Sequence, residues 1–185
     1  MNSPIQILGI SGSLRKGSYN TGLLYAAADL LPESMKLEIF DLSPIPLFNQ
    51  DEELDSPESV RRFKAHIAAA DALLIATPEY NYSFSGVLKN ALDWASRPMK
   101  ETPLNGKPAA IMSAGGRFGA VRAQLHLRQV LVHLNVLSLN RPELMVAFAS
   151  EKFNADGRLT DAQTREQLKA LLEALAAWTR RLRGH

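Results

Sequence analysis

Three stretches hold most of the residues whose types and spacing could do chemistry. The first, Gly12-Ser13-Leu14-Arg15-Lys16-Gly17-Ser18-Tyr19-Asn20-Thr21, gathers hydroxyls, an amide and two cations around glycines. If a helix begins at its end, the free backbone N–H groups and the helix dipole join them, and the stretch has the composition of a phosphate cradle. It is not a P-loop, because Ser18-Tyr19 rather than Lys follows Gly17, and no Gly-x-Gly-x-x-Gly is present. An ordinary Gly/Ser turn with a helix cap has the same composition, so this stretch alone leaves both readings open. The second, Thr77-Pro78-Glu79-Tyr80-Asn81-Tyr82-Ser83-Phe84-Ser85-Gly86, sets aromatic rings beside an acid and an amide. Rings offer faces and edges to a planar heterocycle, and Asn81 and backbone N–H groups suit its polar rim; the same rings could simply pack a loop. The third, Ser113-Ala114-Gly115-Gly116-Arg117-Phe118-Gly119, pairs glycines ahead of a cation. That lets backbone approach a flat ligand closely beside positive charge, though a compact turn before a helix explains the glycines equally.

The elements that must position these stretches alternate along the chain. Ile5 to Ile10, Lys36 to Phe40, Ala72 to Thr77, Pro108 to Ser113 and Val136 to Leu139 read as strands, the Ala72 run apolar on both faces and therefore central. Asn140-Arg141-Pro142 blurs the end of the last one, and Leu144 to Ala149 either extends it or pairs at the edge. Between them, Asn20 to Leu31, a segment opened by Ser56 as cap with Pro57 in its first turn, Gly86 to Ser96, and Gly119 to Leu134 read as helices. The Asp41 to Gln50 stretch, with Pro44 and Pro46, reads as loop. A capping box Thr160-Asp161-Ala162-Gln163 opens a final helix with Leu168, Leu171, Leu172, Leu175 and Leu182 inward. Five strands alternating with five helices is the pattern of a doubly wound α/β parallel sheet. In such sheets ligands bind outside the carboxyl ends of the strands, which is where all three stretches fall.

Composition narrows the chemistry. The chain has 185 residues, a single-domain size, and no Cys, which excludes disulfides, thiol nucleophiles, Cys-ligated zinc and iron–sulfur clusters. Redox chemistry would need a bound cofactor. His66, His126, His133 and His185 lack metal-ligand spacing, so no metal site is expected, and no Gly-x-Ser-x-Gly motif suggests a hydrolase. The N-terminal Met-Asn-Ser-Pro and its short apolar run fit neither a signal peptide nor a membrane span, and a cytoplasmic protein is expected. The net charge is +2; without Arg180, Arg181 and Arg183 near the C-terminus, 18 cations face 19 acids. Positive charge favours a helix C-terminus, so these arginines give little reason to expect a nucleic-acid partner.

Gly12 to Asn20, Thr77 to Ser83 and Gly86-Val-Leu-Lys-Asn-Ala-Leu-Asp-Trp94 together closely resemble the NAD(P)H-dependent FMN reductase family of flavodoxin-like fold, nearest to bacterial chromate and quinone reductases. The resemblance spans nearly the whole chain. It implies one domain over residues 1–185 with strand order 2-1-3-4-5 and helices on both faces. It implies that Ser13, Arg15, Ser18, Asn20 and Thr21 surround the FMN phosphate. Pro78, Glu79, Tyr80, Asn81 and Tyr82 would border the isoalloxazine, with Ser113, Gly115, Gly116 and Arg117 at its other side. Hydride would pass from NADPH or NADH to the flavin N5, and a small-molecule acceptor such as a quinone, flavin, azo compound or chromate would take the electrons in a second half-reaction. No catalytic side chain is then needed. The resemblance also implies homodimers or homotetramers. Independently, Val121, Leu125 and Val132 form one apolar stripe on the Gly119 to Leu134 helix and Leu127, Val130, Leu131 and Leu134 another, so one needs cover from a second copy or from the final helix. A flavodoxin-type electron carrier, with a similar fold and no NAD(P)H oxidation, is the alternative; such carriers are strongly acidic and this chain is not.

Overall fold

A computed structural model describes residues 3–184. Its main sheet is built from β1 (Ile5–Ser11), β2 (Met35–Phe40), β3 (Ala72–Ala76), β6 (Pro108–Ala114), β7 (Leu137–Ser138) and β8 (Leu144–Val146); β4 (Glu79–Tyr80) and β5 (Ser83–Phe84) form a separate antiparallel hairpin. The order across the sheet is β2-β1-β3-β6-β7, with β8 also on β6, and every pairing in it is parallel. This is the flavodoxin-like doubly wound architecture, with one difference in detail. The fifth strand position is shared: β7 pairs with Pro108 and Ala109 of β6, and β8 with Met112 to Ala114. Asn140-Arg141-Pro142 separates the two pieces, and Pro142 has no N–H for a ladder.

Five helices flank the sheet: α1 (Tyr19–Leu30), α2 (Glu58–Ala69), α3 (Gly86–Ala95), α4 (Val121–His133) and α5 (Ala162–Leu182). The two-residue period of the strands divides the core. Ile5, Ile7, Leu74, Ala110 and Met112 pack with Leu23 and Leu24 of α1 and Leu168, Leu171, Leu172 and Leu175 of α5. Leu8, Ile10, Leu73, Ile75 and Ile111 pack with Phe63 of α2, Leu88 and Leu92 of α3, and Leu127 and Leu131 of α4. Each such side chain contributes roughly 1.5–3 kcal/mol by leaving water, so both layers are strongly held to the sheet. Helix α5 therefore lies on the opposite face from α4 and does not cover it. No helix among the described residues is long and apolar enough to cross a membrane.

Three local expectations need correction. Ser56 does not cap α2: Pro57 occupies the cap position without a side-chain bond, while the Ser56 carbonyl accepts from Arg61. The last helix is capped by Asp161, not Thr160, because the Asp161 carboxylate accepts from the Thr164 N–H at 2.9 Å and the Thr160 hydroxyl instead donates to the Lys152 carbonyl. Leu182 is 38% exposed, since the inward face of α5 ends near Thr179.

Candidate active site

β1, β3 and β6 end side by side, and the three stretches leave from those ends. Ser11 hands the chain to Gly12, whose N–H donates to the Ala76 carbonyl at 2.8 Å. A Cβ at Gly12 would lie 3.0 Å from Ser85 Oγ and 3.1 Å from Pro78 Cδ, so glycine here lets the first loop close against the second. Ser85 fastens that contact. It is 2% exposed, its Oγ donates to the Gly12 carbonyl at 2.6 Å and accepts from the Leu88 N–H at 3.2 Å as the cap of α3. Ser85→Ala removes the cap and strands a buried carbonyl; the expected cost is about 2–3 kcal/mol. Urea denaturation checks this through a lowered midpoint at an unchanged slope.

The first loop is preorganised around its hydroxyls. Ser18 caps α1, accepting from the Thr21 N–H at 3.3 Å, and Ser13 Oγ accepts from the Arg15 N–H at 3.3 Å. The Tyr19 and Asn20 N–H groups, in the first turn of α1, have no intrahelical partners. Arg15 lies over the Tyr19 ring at 5.2 Å and makes no ion pair among the described residues, so its charge is available to an anion. Asn20 is different. It is 3% exposed, donates to the Ala114 carbonyl at 3.0 Å and accepts from the Ala114 N–H at 2.9 Å, tying α1 to the end of β6. The Thr21 hydroxyl is within 2.8 Å of Ser11 Oγ.

The second stretch folds back as the β4–β5 hairpin, with Asn81 and Tyr82 at φ of 50° and 67° in the turn. Positive φ at both central positions matches the right-handed twist of the strands. Glu79 pins this hairpin to α4. Its carboxylate accepts from Arg122 Nε at 2.6 Å, pairs with the Arg122 Nη2, and accepts from the Arg122 N–H at 3.2 Å. Helix α4 has no side-chain cap of its own, so Glu79 supplies the negative charge its N-terminus favours. Its hydrogen bond to Glu79 raises the Arg122 pKa above its ordinary value. The Arg122 guanidinium sits 3.8 Å from the Tyr82 ring centre and 5.2 Å from that of Phe118, bridging the second and third loops.

In the third loop Ser113 is fully buried, its Oγ donating to the Gly119 carbonyl at 2.5 Å. Gly115 and Gly116 are held from outside: the Gly115 N–H donates to Val146, and their carbonyls accept from Ala149 and Phe148. Arg117 is exposed beside Phe118.

A cleft of about 210 Å³ lies where the loops meet, lined by Ser13, Arg15, Ser18, Tyr19, Asn20, Pro78, Glu79, Tyr80, Ala114 and Gly115. The structure thus brings together eight of the expected residues around this space. Tyr19 and Ala114 line it as well and were not among them. Thr21 and Ser113 stand behind the wall, and Asn81, Tyr82, Gly116 and Arg117 lie outside the lining. At one end sit hydroxyls, a free guanidinium and a helix N-terminus; at the other, Pro78, the half-exposed Tyr80 and the Gly115 backbone. An anion and a flat ring fit that donor set.

Comparison with known proteins agrees with this chemistry. Residues 5–151 match the NADPH-dependent FMN reductase family. The chain is 57% identical over 186 residues to a NAD(P)H-dependent FMN reductase of Pseudomonas aeruginosa, covering 100% of each. It is 49% identical to an NADPH:quinone oxidoreductase of Arabidopsis thaliana, over 97% of this chain and 94% of that one. The flavoenzyme NAD(P)H:(acceptor) oxidoreductase FerB of Paracoccus denitrificans superposes with a TM-score of 0.88 at 35% identity, over 96% of this chain and 98% of its own. A cleft of hydroxyls, a guanidinium and a helix N-terminus at the strand ends of a flavodoxin-like sheet, in a chain this similar to flavin reductases end to end, leads to one conclusion: it belongs to the NADPH-dependent FMN reductase family, oxidoreductases that use FMN with NAD(P)H.

Proposed function

We propose that this single-domain chain is a cytoplasmic NAD(P)H:quinone oxidoreductase that works by a ping-pong cycle and also reduces free flavin, azo and chromate-type acceptors. The observation that carries the reading is the size and openness of the cleft. Its 210 Å³ is small beside the roughly 300–1,000 Å³ of ligand pockets. It suits the phosphate end of FMN and leaves the ring on an open shelf that donor and acceptor can reach in turn. When bound, FMN supplies the redox chemistry by accepting hydride from NAD(P)H and releasing the electrons to the acceptor. The protein's part is to hold and orient. In this reading Ser13, Arg15, Ser18 and the α1 N-terminus take the phosphate, and Pro78, Tyr80, Asn81, Tyr82, Gly115, Gly116 and Arg117 flank the ring. Asn20, Thr21, Glu79 and Ser113 keep the walls in place, because their side chains are engaged elsewhere in the fold.

Steady-state kinetics with both donors across a quinone, flavin, azo and chromate panel test it. Parallel double-reciprocal lines are expected with each accepted substrate; intersecting lines would contradict a shared face. An electron carrier would consume no NAD(P)H at all.

A second copy of the chain is the partner proposed for α4. Leu125 and Val132 are 53% and 77% exposed, while Leu127 and Leu131 face the sheet, so the stripe carrying Leu125 and Val132 is uncovered in the monomer. Light scattering of the parent should give at least twice 20.4 kDa, and Val132→Glu, which puts a charge in that stripe, should give the 20.4 kDa monomer. A parent at monomer mass would refute the interface.

A further inference from the structure

We propose that Gln124 is a positioning residue for the FMN site, acting through the Ser113 hydroxyl to fix the third loop. The inference rests on the placement of FMN proposed above. Gln124 lies on α4, faces the interior and is fully buried. Its Nε2 donates to Ser113 Oγ and to the Leu144 carbonyl, both at 2.8 Å. Ser113 Oγ in turn donates to the Gly119 carbonyl at 2.5 Å. One amide thereby joins α4, the end of β6 and the start of β8, and the hydroxyl it orients closes the loop 114–119 across its base. The first residue of that loop is fixed by Asn20, which holds both backbone groups of Ala114. The third wall of the cleft is therefore anchored from beneath at consecutive residues, Ser113 by Gln124 and Ala114 by Asn20.

The Gln124 carbonyl oxygen, by contrast, has no donor among the described residues. A buried, unpaired acceptor lowers stability, and a rotated amide would set oxygen against the Leu144 carbonyl. An apolar side chain would fill the space without that cost. What it could not do is hold the Ser113 proton on Gly119. The amide is in this account retained for the geometry of the loop rather than for stability.

The test uses FMN-loaded protein diluted until flavin is released, with flavin fluorescence giving the dissociation constant. Gln124→Met and Ser113→Ala are each expected to weaken FMN about tenfold and to change the visible circular dichroism of the bound flavin. The double variant should be no weaker than about the stronger single one, because both act on the same link. Dissociation constants within about twofold of the parent, or a multiplicative loss in the double variant, would overturn the relay. If Gln124→Met does not fold, Ser113→Ala carries the test alone by the same thresholds. A parent that binds no FMN would instead overturn the site assignment on which the inference rests.

Discussion

Replacing Arg15 and Ser18 together by Ala is expected to weaken FMN about a hundredfold. Arg15 is exposed at the cleft mouth without an ion-pair partner among the described residues, and Ser18 caps the helix whose N–H groups face the same space. A charge-assisted hydrogen bond to phosphate contributes roughly 1.5–3 kcal/mol and a neutral one about 1 kcal/mol. Their sum, roughly 2.5–4 kcal/mol, spans the ~2.8 kcal/mol of a hundredfold change. Loss of the cap adds fraying of the α1 terminus that presents the N–H groups. The effect should shrink at high salt, because the arginine part is screened. Fluorescence titration at two ionic strengths checks both size and sign; an unchanged constant would place the phosphate elsewhere.

The largest stability effect in the site is expected at Gly119. Its φ is +59°, and a Cβ there would fall 2.8 Å from Met145 C, 2.9 Å from Met145 O and 3.1 Å from the Ala147 N. All three are backbone atoms of the β8 region, which cannot swing aside as a side chain would. Left-handed backbone costs a non-glycine residue about 1–2 kcal/mol before any clash. Gly119→Ala should thus cost about 3 kcal/mol, lowering the melting temperature by roughly 6–12 °C for a chain of this size. FMN retention should fall with it, since Gly119 closes the third loop on Ser113. Gly116→Ala is the control: no atom lies within 4 Å of a Cβ at that exposed position. Equal melting temperatures for the two variants would contradict the packing described.

The contrast between those glycines shows what sequence alone reveals. Paired glycines at 115 and 116 draw the eye, yet the position that demands glycine is 119, for a reason set by β8 arriving from elsewhere in the chain. Strands and helices are legible because their apolar periodicity is local. The three stretches converge as expected because every βα loop of a parallel sheet emerges at one edge. Side-chain partners are not local. Asn20 and Glu79 both line the cleft, and the residues their side chains bond lie 94 and 43 positions away, Ala114 and Arg122. The β4–β5 turn was hidden because it uses Asn81-Tyr82 rather than Asn-Gly. The C-terminal arginines follow the same pattern: Arg183 pairs with Asp71 and Arg180 donates to Ser34 Oγ, so part of the positive surplus is engaged within the fold.

Whether the cleft holds FMN through its phosphate is read directly from the flavin content of the purified protein before and after incubation with FMN and desalting. The protein is expected to be yellow and to carry close to one FMN per chain, bleached by NAD(P)H in the absence of oxygen and recoloured by a quinone. Protein that stays colourless after reconstitution would contradict it.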